Sequence, residues 1–173
     1  MIRFQLEHII RAAGAITECD DFVIIESQAI HASIENLPEE IIYSNEADIY
    51  PLNEPQKSDL IDGAIGEKSF FHEEFSYYAH GIGPETAKMP SNWKERTVNI
   101  SSEYTRGVTA ICPSVADIAI SKLIANREKD IKYVSLLLKY EYINEKELLG
   151  LISEVDEKYV SLVKKNINIC MNK

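Results

Sequence analysis

Asp20-Asp21-Phe22-Val23-Ile24-Ile25-Glu26-Ser27-Gln28-Ala29-Ile30 is the stretch on which the fold turns. Its Phe/Val/Ile cluster suits a pleated, buried surface, so it reads as a short strand. That strand breaks at Glu26-Ser27 into a helix, with Ser27 a favoured residue type for the helix mouth. About twenty residues on comes Glu46-Ala47-Asp48-Ile49-Tyr50-Pro51. In an extended strand, Glu46 and Asp48 present their carboxylates on the same face. A strand, a serine at a helix mouth and a second strand carrying paired acids form a short route to a metal-dependent phosphoryl-transfer site.

Composition narrows the setting. The chain of 173 residues fits one domain with a helical appendage and is long enough to bury a core. Hydrophobic residues at 45% and charged residues at 27% are those of a globular chain and argue against disorder. A formal net charge of -10 disfavours an extended nucleic-acid-binding face and favours small-molecule or protein partners. Cys19, Cys112 and Cys170 are far apart and form no CxxC spacing, so neither a disulfide framework nor a zinc site is expected. Charge inside Met1-Ile2-Arg3-Phe4-Gln5-Leu6-Glu7-His8 spoils a signal peptide, and no apolar run approaches the roughly 20 residues of a membrane span. The expectation is a reduced, cytoplasmic protein with no export and no membrane span.

Working outward, Leu6, Ile9, Ile10 and Ala13 recur at helical spacing, and the helix they define closes near Gly14 and Thr17-Glu18. Ser27 to Asn36 reads as a helix ended by Leu37-Pro38, and His31 within it reads as a surface or packing residue. Lys57 to Ile65 suits a short helix stopped by Gly66. Phe75-Ser76-Tyr77-Tyr78-Ala79-His80 is strand-like, and Gly81-Ile82-Gly83-Pro84 reads as a turn because it lacks the context of a phosphate loop. Residues 97–101 and 107–112 suggest a hairpin at the sheet edge. Ser114 with Asp117, and Asn144 with Glu147, have capping-box spacing and open a long helix and the last helix. Leu148, Leu151, Ile152, Val155, Tyr159, Leu162 and Val163 form an apolar stripe along that last helix.

Continued at about 100° per residue, the helix from Ser114 places Ala119, Ile120, Leu123, Ile124, Ile131, Val134 and Leu138 on one arc. Asp130 and Arg127 project into it and Lys122 flanks it. Charges among core positions are costly unless paired or bound to something. Two readings stand: Asp130 pairs with Arg127 or Lys122 to tether the helix, or Lys122 and Arg127 grip a triphosphate while Asp130 orients one of them. For Glu46 and Asp48 the plain alternative is a solvated strand end before Pro51. Their mutual repulsion is what a divalent ion bridging nucleotide phosphates would relieve.

This order of elements, with Lys122-Leu123-Ile124-Ala125-Asn126-Arg127-Glu128-Lys129-Asp130 following, resembles the nucleotidyltransferase-like superfamily. The resemblance spans about residues 8–138 and is nearest to uncharacterised bacterial members related to abortive-infection toxins. It implies an α/β mixed-sheet core over residues 1–112 and a C-terminal helical part, a helical hairpin, over residues 113–173. It further implies Mg²⁺ or Mn²⁺ and a nucleoside triphosphate, with Glu46 and Asp48 as catalytic metal ligands and Ser27, Lys122, Arg127 and Asp130 binding nucleotide. Transfer of a nucleoside monophosphate to a hydroxyl acceptor such as RNA, within a toxin-antitoxin pair, follows from the same resemblance. Three departures accompany it. Glu26 stands where the family has Gly before the serine, Glu46 replaces the first Asp of an Asp-x-Asp pair, and no third acid on a later strand stands out. Glu74 and Glu85 are candidates for that acid, or His80 takes its place. The alternatives are a catalytically decayed relative serving as a nucleotide- or protein-binding module, and a structural oligomer-forming protein.

Overall fold

The computed structural model describes residues 1–172. They separate into two compact units: Met1–Thr86 with Val98–Cys112, and Ala87–Thr97 with the chain from Pro113 onward. The fold is mixed α/β, as the sequence implies, with a five-stranded mixed sheet and helices that include the C-terminal ones.

In the first unit, α1 (Arg3–Thr17) buries Leu6, Ile9, Ile10 and Ala13. It ends where Glu18 turns left-handed, at φ 57°. The strands are β1 (Asp21–Ile25), β2 (Glu46–Pro51), β3 (Tyr78–Gly81), β4 (Val98–Ile100) and β5 (Thr109–Cys112). Their order is β3-β2-β1-β5-β4, so the apolar run Phe22-Val23-Ile24-Ile25 is the middle strand, and all four of its side chains are buried. Each such burial is worth about 1.5–3 kcal/mol. β1 runs antiparallel to β2 and parallel to β5, β2 runs parallel to β3, and the expected hairpin β4–β5 lies at the edge. Helix α2 (Ser58–Ile65) packs on α1, β2 and β3, and α3 (Phe70–Phe75) follows it.

Gly81 lets α2 and β3 meet. A Cβ there would lie 2.1 Å from the carbonyl oxygen of Ser58, and the Gly81 N–H donates to Asp62 Oδ1 at 2.8 Å.

Two segments of this unit differ from the sequence reading. A 3₁₀ segment, Glu26–Ala32, replaces the helix expected from Ser27 to Asn36. Glu26 is left-handed, at φ 62°, so the chain leaves β1 by a sharp bend, and Ile25, not Ser27, takes the cap position. Phe75 closes α3 instead of opening a strand, because Ser69 caps that helix by accepting from the His72 N–H. His31 is a buried packing residue whose Nε2 donates to the Met1 carbonyl, and burial pushes its pKa down to about 4.

The second unit contains α4 (Val115–Ala125), α5 (Glu128–Lys139), α6 (Glu145–Gly150) and α7 (Glu157–Met171), with core residues Leu123, Val134, Leu137, Leu148 and Val163. The helix expected to run on from Ser114 breaks at Asn126, which is left-handed at φ 57°. Asn166 Nδ2 donates to the Leu123 carbonyl and to Asn126 Oδ1, both at 2.9 Å, so the break is sealed by hydrogen bonds. The last stripe divides likewise into α6 and α7, since Asp156 supplies a new cap, accepting from the Lys158 N–H. Arg96 reaches from the segment Ala87–Thr97 to Asp117, at 2.7 and 3.1 Å, and to Glu154, at 2.8 and 3.0 Å. Asp117 is fully buried, and Ser114 Oγ donates to it at 2.5 Å. Among the described residues no helix is long and apolar enough to cross a membrane.

Candidate metal centre

Strand pairing builds the centre. Glu46 and Asp48 lie two apart on β2, and the parallel register opposes Glu46 to Tyr78 and Asp48 to His80 on β3. Directly opposed residues share a face, so four polar side chains stand together on one side of the sheet. His80 Nδ1 is 3.0 Å from Asp48 Oδ1 and 3.9 Å from Glu46 Oε1. One ligand atom from each of Glu46, Asp48 and His80 lies within 4.8 Å of the others. Tyr78 OH donates to Glu46 Oε2 at 2.7 Å, and the His72 ring lies against the Tyr78 ring, 4.5 Å between centroids.

The electrostatics follow from this crowding. The Asp48 side chain is 15% exposed, and its pKa is pushed up to about 6, first by burial and then by the Glu46 carboxylate. Glu26 adds to the same push, and the hydrogen bond with His80 partly opposes it. Facing Glu46, the Tyr78 phenol is held well above its ordinary pKa, so it stays a donor. Two carboxylates and an imidazole with lone pairs on one face offer oxygen and nitrogen donors to a divalent cation, which would relieve the repulsion between the acids.

The other sequence-derived residues lie on other elements. Ser27 is half-buried within the 3₁₀ segment after β1. Lys122, Arg127 and Asp130 belong to the second unit and are joined to one another. Asp130 is buried; Arg127 Nε and Nη2 donate to it at 2.5 and 3.1 Å, and Lys122 Nζ is 3.6 Å away. Lys122 also sits over the Tyr133 ring, 4.9 Å from its centroid. Asp130 is thus paired with both cations, as the tethering reading expects. Glu74 and Glu85 are exposed and stand outside the group formed by Glu46, Asp48 and His80. Tyr78 escaped the sequence reading. Its one signal was its position two residues before His80 on the same strand.

Residues 4–171 match a family described as nucleotidyltransferase of unknown function, DUF6036. The chain belongs to that family. No curated protein and no solved structure matches it. For a nucleotidyltransferase, a nucleoside triphosphate and a divalent metal are the expected ligands, and the donors fit such an ion: Glu46 and Asp48 bring two negative charges and carboxylate oxygens to a single point.

Proposed function

We propose that this nucleotidyltransferase moves a nucleoside monophosphate from a triphosphate to a hydroxyl acceptor at the face that carries Glu46 and Asp48. The observation that carries the reading is the convergence of their carboxylates beside His80 on paired strands. Glu46 and Asp48 would hold Mg²⁺ or Mn²⁺, which when bound polarises the phosphoryl group and activates the attacking hydroxyl. The protein's own part is geometric. Tyr78 fixes one Glu46 oxygen and leaves Oε1 for the ion, while Asp48, on the rigid strand next to β1, presents Oδ1. Ser27 offers a hydroxyl to phosphate. Of the Lys122, Arg127 and Asp130 set, which belongs to the second unit, Arg127 is half exposed and oriented by Asp130, as anion binding requires.

Binding of a fluorescent triphosphate analogue tests this. Affinity should depend on added Mg²⁺ or Mn²⁺ and should be lost in Asp48→Asn with its circular dichroism unchanged; undiminished metal-dependent binding in that variant would overturn the proposal. Toxin activity, with an antitoxin partner and an RNA acceptor, extends the same reading from the family resemblance. Induced expression should then arrest growth, and Asp48→Asn should not.

One observation favours a second reading, a decayed relative that binds nucleotide or protein without turnover. Glu26 carries its charge at a left-handed bend and acts on Asp48. Nucleotide bound but never turned over by the wild-type chain, with turnover appearing in Glu26→Gly, would select it.

A further inference from the structure

We infer that His80 is itself a metal ligand, through Nδ1, and that it gives the centre a preference for Mn²⁺ and later divalent transition ions over Mg²⁺. This rests on the metal-dependent reading above and adds to it the identity of the ion.

The argument begins with position. His80 is the β3 residue in register with Asp48, and it is the Nδ1 edge of the ring that faces both acids. Neighbouring donors on one ion, with bonds of about 2.1 Å at a right angle, are roughly 3.0 Å apart. The separation from Nδ1 to Asp48 Oδ1 is 3.0 Å, and that to Glu46 Oε1 is 3.9 Å, on a half-buried carboxylate whose other oxygen Tyr78 holds. The His80 side chain is 51% exposed, so packing does not account for its orientation. Its backbone is nevertheless fixed, because the next residue, Gly81, is pressed against the Ser58 carbonyl and tied to Asp62. A half-exposed ring on a rigid strand, aimed at two carboxylates, has the placement a ligand needs.

Donor chemistry gives the selectivity. Glu46 and Asp48 already match the charge of a divalent ion. A third carboxylate would add hard oxygen, which Mg²⁺ favours; a neutral imidazole adds nitrogen instead. Nitrogen contributes little to Mg²⁺ and more to Mn²⁺, Co²⁺ and Ni²⁺ in that order, while the carboxylates keep the site congenial to Mn²⁺. The remaining coordination positions fall to water and phosphate oxygens. The competing reading is that His80 only hydrogen-bonds Asp48, in which case an added ion would meet two carboxylates and show no nitrogen preference.

The full-length chain is titrated with Mn²⁺ alone, free ion being read by electron paramagnetic resonance, and Mg²⁺ is measured by competition. Wild type is expected to bind Mn²⁺ at least about tenfold more tightly than Mg²⁺, and His80→Ala to lose roughly 10- to 100-fold in Mn²⁺ affinity with a much smaller loss for Mg²⁺. His80→Asp should bring the two affinities together by strengthening Mg²⁺. Spin-echo modulation from a coordinated nitrogen should be present in the Mn²⁺-loaded wild type and absent from His80→Asp. The half-exposed position makes both variants suitable folded controls, checked by circular dichroism. Equal affinities in the wild type, or Mn²⁺ binding and nitrogen modulation that survive His80→Ala, would overturn the role of His80 while leaving the two-acid site standing. A wild-type chain that binds neither ion, or binding that persists in Asp48→Asn, would overturn the underlying metal reading as well.

Discussion

Replacing Glu26 separates backbone geometry from charge at the bend that follows β1. Its φ of 62° lies in the left-handed region, which costs a residue bearing a Cβ roughly 1–2 kcal/mol. Glycine escapes that cost but gives up about 0.5–1 kcal/mol of extra chain entropy on folding. Glu26→Ala removes the carboxylate and every contact of the side chain yet keeps the strain, so the comparison that isolates the backbone is Glu26→Gly against Glu26→Ala. The glycine variant should be the more stable of the two by about 0.5–1 kcal/mol, or about 1–4 °C in Tm for a chain of this size. Urea and thermal denaturation followed by circular dichroism measure the difference. Because Glu26 also acts on Asp48, both variants should let Asp48 ionise at lower pH. If Glu26 obstructs phosphate, the glycine variant should also bind triphosphate more tightly than wild type. Equal stability of the two variants, or a less stable glycine variant, would refute the strain argument, and unchanged triphosphate affinity would refute the obstruction.

Three further outcomes are expected. In metal-free buffer, Asp48→Asn should stabilise the protein above pH 6: the folded pKa of Asp48 lies above its ordinary value, so wild type loses stability as pH rises from about 4 through about 6, and an amide does not. The gain should reach about 1–3 kcal/mol at pH 7.5 and vanish below pH 4, as read by urea titrations at several pH values. Tyr78→Phe should weaken Mn²⁺ binding about tenfold by releasing Glu46 from its donor, with the fold intact by circular dichroism. Arg96→Ala should cost about 3–5 kcal/mol in denaturant titration, because it leaves the Asp117 carboxylate buried without its cation.

Much of the architecture could be read in the residues, and the limits have physical causes. Val23-Ile24-Ile25 announces a buried strand, Ser114 and Asn144 announce helix starts, and the spacing of Glu46 and Asp48 places both on one face whatever the neighbouring strands are. Those are local properties. The interruption at Asn126 was hidden because Ile131 and Val134, beyond it, are buried like Leu123 and Ile124 before it, so the apolar arc carries straight across. The bend at Glu26 was hidden too: a glutamate gives no sign of left-handed backbone, and a serine beside it imitates a cap. Of the centre, the two acids were legible, while His80 was only one of three candidates and Tyr78 was unseen. Which strand lies beside β2, and in which register, depends on contacts distant in sequence, and only that pairing puts Tyr78 and His80 opposite the acids.

Gly81 acquires a mechanical meaning from this pairing. A slide of β3 by one residue would set alanine or glycine opposite Asp48 and carry the imidazole to the far side of the sheet. The notch that Gly81 makes for the Ser58 carbonyl accepts no bulkier residue, so Tyr77, Tyr78, Ala79 and His80 cannot be seated there in its place. That indentation acts as a detent, keeping Tyr78 and His80 in step with Glu46 and Asp48.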